Sequence, residues 1–87
     1  MITPIIHMNG TSGERLLEQQ LKAIAALGAA LVAMSDAYPN GRDYYTQGPQ
    51  VVTGAMADHA ARMDAVEAIR EQYNQIAEAI SDQMVTS

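Results

Sequence analysis

The chain has 87 residues and contains no cysteine, phenylalanine or tryptophan. Without cysteine, no disulfide or zinc–thiolate site can staple it. Without Phe or Trp, a core has to be built from Leu, Ile, Val, Met, Ala and some of the four tyrosines. Basic residues are scarce as well: 5 Lys and Arg stand against 10 Asp and Glu, a formal charge of -5 with both histidines neutral. That balance argues against non-specific binding to duplex DNA, RNA or an anionic membrane. A small anionic ligand needs only a few well-placed donors and stays open. Around Met1-Ile2-Thr3-Pro4 there is no basic stretch of the kind that opens a signal peptide. The most apolar run, Ala23 to Met34, falls short of the roughly 20 residues a bilayer span needs. A soluble cytoplasmic chain with no membrane partner is the expectation. The length admits a single domain, and one this short has difficulty burying enough surface alone. Its stability is therefore expected to come from forming a homo-oligomer.

What is present reads as two long helices and a loop. Residues 1–10 form an extended arm: Pro4 biases Thr3 away from helix, and Asn9-Gly10 is a turn dipeptide. The arm is expected to pack along the helices or onto a neighbouring subunit. Thr11 and Glu14 are spaced as a capping box for a first helix over about 12–38. Its apolar stripe runs Leu17, Leu21, Ile24, Leu27/Gly28, Leu31, Met34/Ser35 and Tyr38, at steps of three and four. Pro39 stops that helix. Residues 39–49 make a long loop punctuated by Pro39-Asn40-Gly41 and Gly48-Pro49. A second helix over about 52–84 carries Met56, His59, Met63, Val66, Ile69/Arg70, Tyr73, Ile76, Ile80 and Met84, close to a heptad spacing. Its start lies between Pro49, which suits a first helical turn, and Gly54, which weakens an interior. Residues Val85 to Ser87 are expected to fray. The fold class is all-α: one domain over 1–87, an antiparallel helical hairpin with an extended N-terminal arm, assembled into a helical-bundle oligomer.

Chemically capable side chains gather in three places. His7, Asn9, Thr11, Ser12 and Arg15 surround the start of helix 1, where free amides, hydroxyls and an arginine suit a phosphate or carboxylate; the plain alternative is a turn followed by a cap. No P-loop glycine–lysine pattern follows the glycines. Arg42, Tyr44 and Tyr45 sit in the loop, where an arginine can grip phosphate and a tyrosine can stack on a base. The alternative has Arg42 held by Asp43 or a helix-end carbonyl and the tyrosines sealing the bundle. His59 and Arg62 follow on helix 2, with Arg62 placed where it faces the Arg42 loop and is flanked by Asp58. His59 equally suits a semi-buried residue bonded to a loop carbonyl. In a hairpin the first and second clusters lie at opposite ends, some 40 Å apart on the rise of helix 1. No carboxylate pair in an apolar pocket and no nucleophile with a base beside it is evident, so the chain reads as non-enzymatic, with no cofactor and no metal.

The pattern His7-x-Asn9-Gly10-Thr11-Ser12, then Pro39-Asn40-Gly41-Arg42-Asp43-Tyr44-Tyr45, then His59-x-x-Arg62 resembles a group of small proteins encoded by tailed phages and prophages. The resemblance covers nearly the whole chain and implies a cytoplasmic setting in an infected bacterial host. A looser similarity is to phage anti-defence sponge proteins, small helical oligomers that sequester nucleotide messengers without cleaving them. That similarity implies capture of a cyclic-oligonucleotide or nicotinamide-derived signal and carries over no binding residue; the residues themselves suggest Arg42 and Arg62 on phosphate, Tyr44 or Tyr45 stacked on the base, and Thr11, Ser12 and the helix amides receiving a second anion. The second expectation is a structural or protein-binding helical module. The third, a metal-dependent hydrolase, requires His7 and His59 to converge on carboxylates.

Overall fold

The computed structural model describes residues 1–86 and is all-helical apart from its arm and loop. Helix α1 spans Gly13–Asp36 and helix α2 spans Pro49–Thr86. Two short 3-10 turns, Gly41–Asp43 and Tyr45–Gln47, shape the connection between them. The two helices pack as an antiparallel hairpin. Proceeding along the chain on α1, Gly13 lies against Met84, Gly28 against Arg70 and Tyr38, just past the helix end, against His59. Twenty-five residues forward on one strand of the hairpin thus match twenty-five back on the other. A register that regular follows from facing stripes with the same spacing. Gly13, Leu17, Gln20, Ile24, Leu27, Leu31, Met34 and Tyr38 alternate steps of four and three, as do Met56, His59, Met63, Val66, Arg70, Tyr73, Ala77, Ile80 and Met84.

The helix limits have local causes. Ser12, not Thr11, caps α1: its Oγ accepts from the Arg15 amide at 3.2 Å. The expected Thr11–Glu14 capping box is displaced by one residue, because Ser12 stands three before an amide that has no intrahelical acceptor. At the other end Ala37 closes the helix, its amide donating to the Met34 carbonyl at 3.0 Å, two residues before Pro39. Helix α2 begins at Pro49 itself, where a missing amide costs nothing. Gly54 is carried in its interior. The helix runs through Val85 and Thr86, where fraying is expected from the sequence; Ser87 lies outside the described residues.

The seam corrects the apolar stripe read from the sequence. Leu21 is 53 % exposed, and Gln20 takes the seam position between Leu17 and Ile24. Ile69, Tyr73 and Tyr38 are exposed too. A heptad step from Leu17 leads to position 20, and position 21 falls about 100° further round the helix. Gln20 is not comfortable there: its Oε1 is buried with no hydrogen-bond partner. Arg70 also occupies the seam. Its Nε donates to the Ile24 carbonyl at 3.3 Å, and its guanidinium lies over Gly28, where a Cβ would come within 3.2 Å of Nη2.

The arm packs on the C-terminal part of α2. One side chain reads its backbone: Gln83 Oε1 accepts from the Ile6 amide at 2.8 Å, and Nε2 donates to the Pro4 carbonyl at 2.9 Å. Ile6 then enters beside Gly13, where a Cβ would sit 2.7 Å from Ile6 Cδ1. Gln83→Leu, which keeps the bulk and removes both bonds, should release the arm at a cost of about 1–3 kcal/mol. Amide hydrogen exchange checks this: the Ile6 amide should lose its protection while amides near Leu31 keep theirs.

The result is a rod. Its principal extents are 62 × 20 × 19 Å and its radius of gyration is 18.9 Å, against roughly 12 Å for a compact domain of this length. Among the described residues the buried apolar side chains are only Leu31, Ala77 and Ile80, and of these Ile80 alone is fully enclosed. The surface is 6278 Å², whereas a compact monomer of 9.4 kDa exposes about 5,000 Å². Helix α1 as a whole is long and apolar enough to cross a membrane by length and composition, although the shorter run Ala23–Met34 is not. The core helix of a soluble protein meets the same criterion when it is mostly buried, whereas only 6 % of this apolar window is buried within the hairpin.

Candidate functional site

The loop end of the hairpin gathers the most chemistry. As α1 finishes, Tyr38 leaves the seam and its ring meets His59 edge-on, with centroids 5.5 Å apart and planes at 83°. His59 is 8 % exposed and is the buried polar residue of the seam. It is held by this ring contact, not by a loop carbonyl as the sequence suggests; among the described residues no hydrogen bond to it is present. Beside the pair opens a cleft of about 370 Å³ lined by Ser35, Tyr38, His59, Ala60, Met63 and Asp64. The floor is apolar, from Ala60, Met63 and the Tyr38 ring. The Ser35 hydroxyl, the His59 imidazole and the Asp64 carboxylate supply its polar groups. That inventory suits a small flat group with a donor directed at the carboxylate, or an apolar side chain from another helix. It is poorly suited to an anion, which would face Asp64.

The loop residues are organised by Asn40. Its Oδ1 accepts from the Arg42 amide at 3.0 Å and from Arg42 Nε at 3.5 Å, so the first 3-10 turn is capped and its arginine is steered locally. Arg42 is exposed and pairs with neither Asp43 nor a helix-end carbonyl. Tyr44 is half-buried and Tyr45 is exposed. The loop lies over the first turn of α2, where a Cβ on Gly41 would be 3.8 Å from Val52 Cγ1.

That contact decides the fate of the proposed Arg42–Arg62 pair. Arg62 is ten residues beyond Val52 on a continuous helix, so its backbone is about 15 Å further along the rod. One chain does not bring Arg62 to the Arg42 loop. Asp58, four residues before Arg62, makes no ion pair with it; among the described residues the only ion pair is Lys22–Glu18 at 3.3 Å, on an exposed face. Such a pair contributes little.

The first cluster remains local to the other end. The His7 ring folds over Gly10, whose Cβ would come 2.8 Å from Nε2. Ser12 is used as the cap, and Asn9, Thr11 and Arg15 are exposed around it. His7 and His59 therefore sit at opposite ends, and the convergence that a hydrolase centre requires does not occur. Among the described residues no three His, Cys, Asp or Glu side chains are grouped to hold a metal.

Sequence reasoning missed Ser35, Tyr38, Met63 and Asp64 as neighbours of His59. Tyr38 was legible as the last member of its stripe. Placing it against His59 needs the register, which follows once both heptads are aligned from Gly13 and Met84. Comparison with protein-family models, with curated proteins and with solved structures finds no match for this chain.

Proposed function

We propose that this chain is a non-catalytic helical assembly module, a hairpin whose uncovered apolar surface is completed by other helices. The observation that carries this reading is the surface excess: about 1,300 Å² beyond a compact monomer of its mass. Specific interfaces bury about 800 Å² per partner, so the excess is of the size that one association removes. The exposed side chains fit that role. Ile2 and Met8 are almost wholly uncovered, Leu21 and Val32 more than half so, and Ile69 is exposed as well. Light scattering at micromolar concentration tests it. The expected mass is a multiple of 9.4 kDa; a stable, helical, single-chain species at every concentration up to a millimolar contradicts it.

A second reading, capture of a small anionic ligand such as a nucleotide messenger, is favoured by one observation. Neither Arg42 nor Arg62 is neutralised by a carboxylate among the described residues, and the exposed Tyr45 offers a ring beside Arg42. On this reading the phosphate is gripped at the loop, and Arg62 comes from another copy. Calorimetric titration with cyclic di- and trinucleotides and nicotinamide-derived nucleotides is the test. The expected outcome is a ligand whose binding drops at least tenfold in Arg42→Ala. Heats indistinguishable from dilution across the panel would remove this reading.

A further inference from the structure

The outer face of α1 is the least accounted for part of the molecule. Leu21, Ala25, Ala29 and Val32 share it at steps of four, four and three. All are exposed, Leu21 at 53 % and Val32 at 67 %. No charged residue occurs between Lys22 and Asp36. The corresponding flank of α2 is different: Asp58 and Arg62 cross it beyond Val51, and the arm takes it at Gln83. We infer that this face of α1 is where a second copy of the chain packs, antiparallel, with Leu21 of each copy against Val32 of the other.

Two features point to a second copy. The first is area. The excess of about 1,300 Å² per chain is enough for a standard interface of about 800 Å² on each side. The second is order. Large, small, small, large along the stripe reads the same in both directions. A two-fold contact requires just that, since each patch must be its own complement. An antiparallel pairing centred between Ala25 and Ala29 places alanine on alanine where the helices approach most closely. It brings Leu21 to within one residue of level with Val32 at both ends, where they diverge. In either pairing Glu18 and Asp36 meet carboxylates of the other copy, so charge does not choose between them; the antiparallel one opposes the two helix dipoles, which a parallel one would align.

This inference rests on the assembly reading, and the test separates the two. The chain has no cysteine, so introduced thiols report without background. Leu21 and Val32 of one chain are eleven residues apart on a helix, about 16 Å, beyond the reach of a disulfide. The double variant Leu21→Cys/Val32→Cys should therefore give a covalent dimer on mild oxidation, while each single variant should stay a single chain on a non-reducing gel. Both sites are exposed in the hairpin, so circular dichroism of the reduced variants should match the parent. Cross-linking by either single variant overturns the antiparallel pairing. An oligomer by light scattering without a cross-link in the double variant places the interface elsewhere and overturns this inference alone. A single-chain mass for the parent overturns both. The helix length and apolarity allow one rival occupant, a bilayer. Co-flotation of the parent with neutral phosphatidylcholine vesicles, with loss of the cross-link, would overturn the inference in favour of lipid.

Discussion

Ile80→Ala should cost about 2–5 kcal/mol, the range for deleting a fully buried aliphatic side chain. Ile80 is 0 % exposed, the most enclosed side chain in the molecule, and the register sets it level with Leu17 on α1. A typical chain of this length has about 4–13 kcal/mol of stability in total, and among the described residues this one buries only three apolar side chains, Ile80 alone of them fully. Losing Ile80 therefore removes a large share of what holds the hairpin closed. Partial relaxation of the neighbouring Ala77 and Met84 sets where in the range the value falls. Urea unfolding followed by circular dichroism checks it, with Val85→Ala, an exposed position on the same helix, as the comparison. A cost for Ile80→Ala below about 1 kcal/mol would mean that the seam is not the core.

Arg70→Met should act in the opposite direction. Arg70 holds a seam position, half-buried, with its Nε on the Ile24 carbonyl and no carboxylate partner among the described residues. Taking a guanidinium partly out of water without a counter-charge is unfavourable, and replacing buried ionic groups with apolar ones of similar size is often neutral or stabilising by about 1–4 kcal/mol. The Ile24 carbonyl is not orphaned by the change, because it lies within α1, where helix geometry supplies the Gly28 amide. Methionine can also adapt to the shallow space over Gly28. The thermal midpoint should rise by several degrees, on the scale of about 4–8 °C per kcal/mol for a domain this small. Arg70→Ala, which leaves that space empty, should lower it. A fall in Arg70→Met as large as in Arg70→Ala would show that the charge itself stabilises the seam.

Much of the architecture was legible because it depends on spacing. Steps of three and four, broken by Pro39 and Pro49, are enough to specify two helices and a hairpin. Asn9-Gly10 and Pro4 mark the arm. At the seam and the cap, residue type points one way and geometry the other. Leu21 is more apolar than Gln20, yet position 20 continues the heptad and position 21 does not. The exposed leucine then becomes informative in its own right, as half of a self-complementary face. Thr11 and Ser12 are both good caps, and only the backbone decides between them. The candidate site was legible in part. His59 belongs to the seam as its spacing indicates. The convergence of Arg42 with Arg62 depended on how far the loop reaches along α2, a tertiary distance that no local pattern encodes. The loop touches Val52, one helical segment short of Arg62.

Assembly is the central claim, and the concentration dependence of unfolding tests it most directly. Association with the folded state stabilises by mass action. The thermal midpoint of the unmodified chain should therefore rise steadily between about 1 μM and 1 mM, and Val32→Glu, which places a charge on the α1 face, should flatten that rise. A midpoint that stays constant across this range, with the mass of one chain throughout, would contradict the account.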